Sequence, residues 1–519
     1  MNRFPPRLAL LVAAYTLFAA CTSLPPDRGA ADVGTLVGSR TNTGLAAEIG
    51  VPDPQVRQER VAMLTSKPMD AHTAMRLAIA NSPRTRQAYA RLGISQADVY
   101  DAARMPNPTF GFTDLRPSGG GASQITRSVG IDLAALLTLV PRKRLASADL
   151  GRVKLHLAHE VLALAAEAEA AWYRYAASCQ VAQMRERAAA SAGLSAEFAQ
   201  RMYDAGNLNA LELALEQAAA TQARLDTARA GARMLEARAE LASLLGLPTR
   251  GDWRIEDRLP APLDAEPALD GLLEAALAQR LDLAGLRQEL AVLTDSAEFT
   301  RRWRWLGSFE LGYHRESETD GGTLRGPTAT LALPLFNQGQ GAVARSHAQL
   351  EDARARLDAA ELDVRNEIAL GLDRLDTARA ITERYRNALL PQREAVVART
   401  QEQVNFMFLG VFELLRVKRE QYDAYEAYLE AVGDYWIDRA SLRRAAGGSL
   451  PDDAAALEPA IGVDSMVPTA IEPPSKGGSD IDPHAGHGPQ RMDGEPPADA
   501  LPTATPDPPE HEHQHGDLA

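Results

Sequence analysis

Three sets of residues have types and spacing that suggest chemistry. Gly339, Gly341 and Ala344 lie in "LALPLFNQGQGAVA", between an apolar stretch and a helical one. A strand, G-x-G-x-x-A, then a helix is the order of a dinucleotide phosphate turn. His484, His487, His511, His513 and His515 make up "HAGH" and "HEHQH" near the C-terminus, five of the ten histidines in the chain. Imidazole ligates copper, zinc and nickel, and i, i+2 spacing in a flexible chain lets several rings reach one ion. His156 and His159 stand three apart on a helical pattern, where a metal pair competes with an ordinary solvated face. His72, His314 and His347 are scattered, and no Ser-His-Asp order or close cysteine set stands out. The sequence therefore predicts no enzyme and no cofactor.

The glycine motif fails as a nucleotide site on physical grounds. A Rossmann strand is buried on both faces and continuously apolar. Here Ala329, Leu331, Leu333 and Leu335 alternate with Thr328, Thr330 and Ala332, which is the period of a sheet with two unlike faces. Pro334 falls inside the apparent strand, where a central parallel ladder tolerates none. The helix that follows meets no breaker until Pro391 and resumes beyond it.

The chain has 519 residues, is 45% hydrophobic but only 5% aromatic, and carries a net charge of −14. That balance favours closely packed helices and argues against nucleic-acid binding. No 18-residue apolar run follows the N-terminal one, so no transmembrane helix is expected. "MNRFPPRLALLVAAYTLFAAC" reads as a secretory signal, with Arg3 and Arg7 ahead of the apolar Leu8–Ala20. "LFAAC" resembles a bacterial lipobox, with Phe18 where Leu is usual; in such signals Cys21 takes the lipid and becomes the first mature residue, the alternative being plain cleavage with a free thiol. Thr22, not Asp, fits sorting to the outer membrane by the same resemblance. Cys179, the other cysteine, reads as a small buried apolar residue.

The elements that position these residues come in two copies. "AIAN" at 78–81 matches "ALAQ" at 276–279, "VGIDL" at 129–133 matches "ATLAL" at 329–333, and "GNLNALELALEQ" matches "MFLGVFELLRVK", at offsets of 198, 200 and 201. Agreement of three offsets fixes a repeat before any other architectural choice. Each copy predicts a helix (71–104 and 271–303), two alternating strands, a long helix (142–204 and 341–404), and a return helix (209–245 and 411–446). "RPSGGGAS" and "ETDGGTLRG" are the turns of the strand pairs. The long helix spans about 90–95 Å, and the first and last helices of a copy together sum to about that length.

A coiled coil explains such helices but not the strands. Phe309, Leu311 and Tyr313 share one face; Ile125, Val129, Ile131 and Leu133 share another, with Arg127 the exception. Four two-faced strands cannot stay open in lipid, because their edges would be unsatisfied. Closure between chains resolves this, with two chains giving eight strands and three giving twelve. Trp303 and Trp305 in "RRWRW" then suit a membrane interface, with the arginines near headgroups.

These residues resemble the TolC-like outer-membrane efflux proteins over about 71–446. The resemblance rests on the duplicated plan, on "LPLFNQGQG" (331–341) and on "FELLRVKREQYDAYEAY" (412–428). It implies a homotrimer, mainly α, with a twelve-stranded membrane β-barrel and an α-helical periplasmic tunnel. It implies an exit duct working with a periplasmic adaptor protein and an inner-membrane transporter, lipid-anchored in the outer membrane. Pro334, Phe336, Gly339 and Gly341 would mark the strand-to-helix junction. Asp204, Asn207, Glu212, Leu409, Glu413 and Arg416 would lie at the periplasmic aperture and adaptor contact, where Met407 and Leu409 replace the glycine and basic residue often found in the second turn. The domains are then signal peptide 1–20, N-terminal extension 21–70, first repeat 71–245, linker 246–270, second repeat 271–446, and a disordered tail 447–519 whose Pro, Gly and Asp content cannot bury a core. The tail histidines point to metal ions such as copper or zinc as cargo. The alternatives are drugs or organic solutes through the same duct, or a lipid-anchored periplasmic scaffold.

Overall fold

The computed structural model of the protein describes residues 29–41, 53–263, 268–305, 307–450, 460 and 462–467. The signal peptide, Cys21 and the five tail histidines His484, His487, His511, His513 and His515 lie outside the described residues.

Two short helices, α1 (Ala30–Gly38) and α2 (Pro54–Thr65), precede the first repeat. The helix expected over 71–104 is two: α3 (Ala71–Asn81) and α4 (Pro83–Ala102). The cause is Ser82 before Pro83, which pushes Ser82 to φ −57°, ψ 137°, while its hydroxyl caps α4 by accepting from the Arg84 N–H at 3.3 Å. Strands β1 (Thr109–Leu115) and β2 (Gln124–Asp132) follow, then a single helical turn α5 (Leu133–Leu137), α6 (Leu139–Asp204) and α7 (Ala210–Leu245). The second repeat gives α8 (Leu269–Gln279), α9 (Leu281–Trp303), β3 (Phe309–Ser317), β4 (Thr323–Leu331), α10 (Gln340–Arg384), α11 (Leu390–Asn405) and α12 (Val411–Ala446). Its first helix is broken too, at Arg280. No proline acts there; the Arg280 side chain holds the break through Asp282 (2.7 Å), Glu367 (2.7 Å) and the Ala445 carbonyl (2.9 Å).

These breaks receive the ends of the return helices. Asn81 donates to the carbonyls of Leu245 (2.9 Å) and Gly246 (3.0 Å), so α7 ends where α3 gives way to α4. Arg280 meets the end of α12 in the same way. α6, with 66 residues and so about 100 Å long, therefore packs on α7 along one part and on α4 along another. Alanine supplies nine of its twenty buried residues, including Ala158, Ala165, Ala168 and Ala176, so neighbouring helices approach closely. A Cβ on Gly433 would lie 2.6 Å from the Ala177 Cβ, a direct sign of that approach. Around it Tyr173 stacks on Trp436 at 5.3 Å, and Trp436 donates to the Pro260 carbonyl at 2.7 Å, tying the 246–270 segment to both repeats.

Pro391 is absorbed by a widened π-type turn at Tyr385–Leu389, which lets the helical path continue into α11. The composition of 447–519 misled at its start. Leu450, Val463 and Met466 are buried in the main core, and α13 (Val463–Met466) sits on α6, where Arg187 pairs with Asp464. Ala460 and Val467 pack partly buried against the same core.

Candidate functional site: a two-faced sheet and a helical tip

The four strands form one antiparallel sheet in the order β1-β2-β3-β4, so both outer strands have a free edge in the chain. The register puts Phe110, Val129, Tyr313 and Pro327 in one row and Ile131, Leu311 and Ala329 in the next, all on one face. Phe309 and Leu331 complete that face. The other face carries Gly111, Ser128, Gly130, Gly312, Thr328 and Thr330 beside Glu310, His314 and Glu316. Neither face is covered: Phe110, Val129, Tyr313 and Leu331 all stay exposed. The expected alternation is present, and it now spans strands from both repeats.

The free edge of β4 is defined by its hydrogen bonds. Glu318 N–H donates to Gly322 at 2.9 Å and Ala332 N–H to Ser308 at 3.0 Å. Alternation between these points aims the N–H groups of Arg325, Ala329 and their neighbours outward, with Pro327 interrupting that outward row.

Two expectations about the strands need correction. β4 ends at Leu331, so Leu333, Pro334 and Leu335 lie in the connection and Pro334 interrupts no ladder. In "ETDGGTLRG" the residues from Thr323 onward are strand, because Thr323 pairs with Ser317 and the turn needs only 318–322. At the junction Gly339 takes φ +76° as the cap of α10, accepts from Val343 N–H at 3.0 Å, and receives the Asn337 side chain on its own N–H at 3.1 Å. A Cβ there would come within 3.1 Å of the Arg304 Cβ, so glycine is needed twice over. Gly341 faces open space, and Phe336 is 98% exposed. The first repeat uses other means. Asp132 caps α5 by accepting from Ala135 N–H at 3.0 Å, and Pro141 falls in the first turn of α6, where its missing N–H costs nothing.

At the opposite end the two helix turns are built alike. Asn207 N–H donates to the Met202 carbonyl at 2.8 Å and Phe408 N–H to Gln403 at 2.9 Å, each around a residue in the left-handed region. In the first turn that residue is Gly206 (φ 76°); in the second it is Met407 (φ 61°), the one non-glycine with positive φ among the described residues. Phe406, Met407 and Phe408 are exposed there, with the two rings 6.2 Å apart.

The polar tip residues divide by role. Glu212 closes a capping box: its N–H donates to Asn209 at 2.8 Å and its carboxylate accepts from the Asn209 N–H at 3.4 Å. Asp204 accepts from Gln200 at 2.8 Å, and Asn207 is exposed. Gly410 caps α12 without a side chain, which leaves Glu413 to pair with Arg416 through both oxygens at 2.5 and 3.1 Å. The guanidinium lowers the Glu413 pKa, and the carboxylate raises that of Arg416. Arg416 reaches Glu420 at 2.6 Å, and Glu420 reaches Arg393 on α11 at 2.5 Å. Leu409, Glu413 and Arg416 thus share one turn and helix start, apart in sequence from Asp204, Asn207 and Glu212. Sequence reasoning missed Glu420, Arg393 and the buried Glu216, which accepts from Ser195 at 2.6 Å and pairs with Arg419 at 3.4 Å. The charges were visible, but their partners come from other helices.

His156 lies 3.3 Å from Glu160, and burial lowers the His159 pKa. Among the described residues no group of three His, Cys, Asp or Glu side chains could hold a metal ion. Cys179 is partly buried in the core, and burial pushes its thiol up to about 11.

No protein-family model matches the sequence, and no curated protein does. Solved structures do share the fold. The outer membrane protein VceC of Vibrio cholerae is 15% identical, with 77% of this chain and 99% of that one covered at a TM-score of 0.60. The CmeC outer membrane channel of Campylobacter jejuni is 13% identical over 76% and 86%, at 0.60. The open MtrE outer membrane channel of Neisseria gonorrhoeae is 16% identical over 74% and 91%, at 0.59. CmeC and MtrE are outer membrane channels and VceC is an outer membrane protein; none of the three is described as an enzyme.

Proposed function

We propose that the chain is the outer-membrane exit duct of a tripartite efflux system. The observation that carries this is the sheet: one face apolar between its helix end and a row of arginines, the other mostly small and polar apart from Leu115 and Leu324 near the turns, both edges free, joined to helices far longer than any globular core requires. An open sheet of this kind has no stable place in water or in lipid, and closure with two further copies gives a twelve-stranded barrel. Contacts support where the copies meet. α4 packs on α6, α6 on α9 and α9 on α10, following the strand order, so the joints fall at β1/α4 and β4/α10. The polar face then lines the lumen. Fold likeness to outer-membrane channels adds to this reading.

In the same proposal Cys21 carries a lipid anchor, and the exposed Phe406–Phe408 tip with the Glu413–Arg416–Glu420 network meets a periplasmic adaptor, itself joined to an inner-membrane transporter. Metal ions such as copper or zinc are the favoured cargo, on the strength of His484, His487, His511, His513 and His515.

The test is fractionation with cross-linking. The protein should sediment with the outer membrane as a trimer, and Cys21→Ser should remain embedded, because a closed barrel holds itself in lipid. A soluble, folded Cys21→Ser monomer would overturn the duct in favour of a periplasmic scaffold.

A further inference from the structure

The apolar face ends in a row of charge. Arg127 pairs in register with Arg315, and Arg315 with Arg325, so three strands present arginine side by side, with Phe112 completing the row on β1. Only the register reveals this, since Arg127 belongs to one repeat and the other two to the next. All three side chains are exposed on the face that bears Val129, Tyr313 and Leu311. None has a side-chain partner among the described residues, unlike Arg185, Arg280 and Arg393, each of which is paired with a carboxylate. The one acid on this face near them, Asp114, is held by Arg116 at 3.4 Å.

Such a row is unfavourable by itself. Neighbouring strands are about 4.8 Å apart, so three guanidinium groups fall within about 10 Å of one another, and like charges directly opposite destabilise a sheet. A ligand with closely spaced negative charges relieves that repulsion, and the forked donors of arginine match phosphate oxygens. The row also has a defined level. It lies next to the hairpin turns at 116–123 and 318–322, at the end of the sheet away from the helices. Below it, toward the helices, the same face is continuously apolar. A molecule that reaches the arginines from outside therefore lays its remaining length along Val129, Tyr313, Leu311 and Ala329. That shape requires a phosphate head and acyl chains.

We propose that Arg127, Arg315 and Arg325 dock the phosphates of an anionic glycolipid in the outer leaflet. The proposal rests on the barrel reading, which turns this face to lipid and the hairpins outward. A free phosphate explains the arginines but not their place at the head of an apolar band. A single-phosphate phospholipid lacks the second charge that a three-arginine row accommodates.

The experiment uses the full-length trimer in detergent, titrated with diphosphoryl lipid A, dephosphorylated lipid A, phosphatidylglycerol and inorganic phosphate. Wild type should prefer diphosphoryl lipid A, and the triple variant Arg127→Gln/Arg315→Gln/Arg325→Gln should weaken it by about tenfold or more, as loss of charge-assisted bonds predicts. The triple lysine variant should retain part of the affinity, and Arg201→Gln on the tip should change nothing. Equal binding of phosphatidylglycerol or inorganic phosphate, or undiminished lipid A binding by a trimeric glutamine variant, overturns the proposal while leaving the barrel intact. Wild type that never embeds as a trimer overturns the barrel reading itself. If the glutamine variant fails to assemble, the lipid preference of wild type and the lysine variant still decides.

Discussion

Adjacent residues on β4 give the sharpest test of the sheet. Ala329 faces the apolar side beside Leu311, and Thr330 faces the other side, opposite Glu310. Ala329 is four residues from Arg325, or about 13 Å along the strand. With the strand tilted by about 40°, that is about 10 Å of depth, close to the middle of a band about 25 Å tall. Arginine at such a depth on the lipid face costs about 2–4 kcal/mol per chain, a factor of about 30 to 1000 in the folding equilibrium. Thr330→Arg places its charge in the lumen across from a carboxylate, so its cost should stay below about 1 kcal/mol. Each variant is to be folded into vesicles and titrated with urea, and its trimer counted in outer-membrane fractions. Equal losses at the two positions would refute the assignment of the faces, and with it the barrel.

Met407 occupies a conformation that favours glycine, so Met407→Gly should stabilise the second tip by about 1 kcal/mol, read as slower amide exchange of 403–410, while Gly206→Met should cost about as much at the first tip. The Glu413–Arg416 pair predicts a pH dependence: with its folded pKa depressed, Glu413 stabilises the start of α12 above its unfolded value, and that contribution is lost as pH falls through the folded pKa. Amide exchange at 411–416 should accelerate on acidification through and below the usual glutamate range, and Glu413→Gln should flatten the profile. Truncation after Val467 should leave the trimer intact and lower tolerance to copper or zinc, whereas truncation after Gly448 should also destabilise the fold, because it removes Leu450, Val463 and Met466; growth on metal and thermal unfolding separate the two.

How far the sequence could be read follows from the range of each signal. Periodicity is local, so the long helices and the two faces of each strand were legible. Helix breaks were not: Ser82 before Pro83 was a local cue passed over, and the break at Arg280 depends on Glu367 and the end of α12. The end of β4 was misjudged because Leu333 and Leu335 keep an alternation that the chain does not use. The tip candidates fall at the two helix turns, and the division between the capping Glu212 and the paired Glu413 depends on Asn209 standing where the second copy has Gly410. The arginine row was beyond reach, since it requires knowing which residues of β2 and β3 lie side by side.

Pro327 has a consequence for quality control. A newly made chain waits in water with a bare strand edge, which invites any other β-strand to add on. A strand that pairs along β4 leaves one of its own carbonyls without a donor opposite Pro327. On the barrel reading that orphan faces lipid, where an unmet carbonyl costs several kcal/mol. The proline thus lowers what any strand gains by adding along β4, whatever its sequence or offset. On the barrel reading, the edge that closes onto another copy is thereby also a weaker template for stray strands before closure.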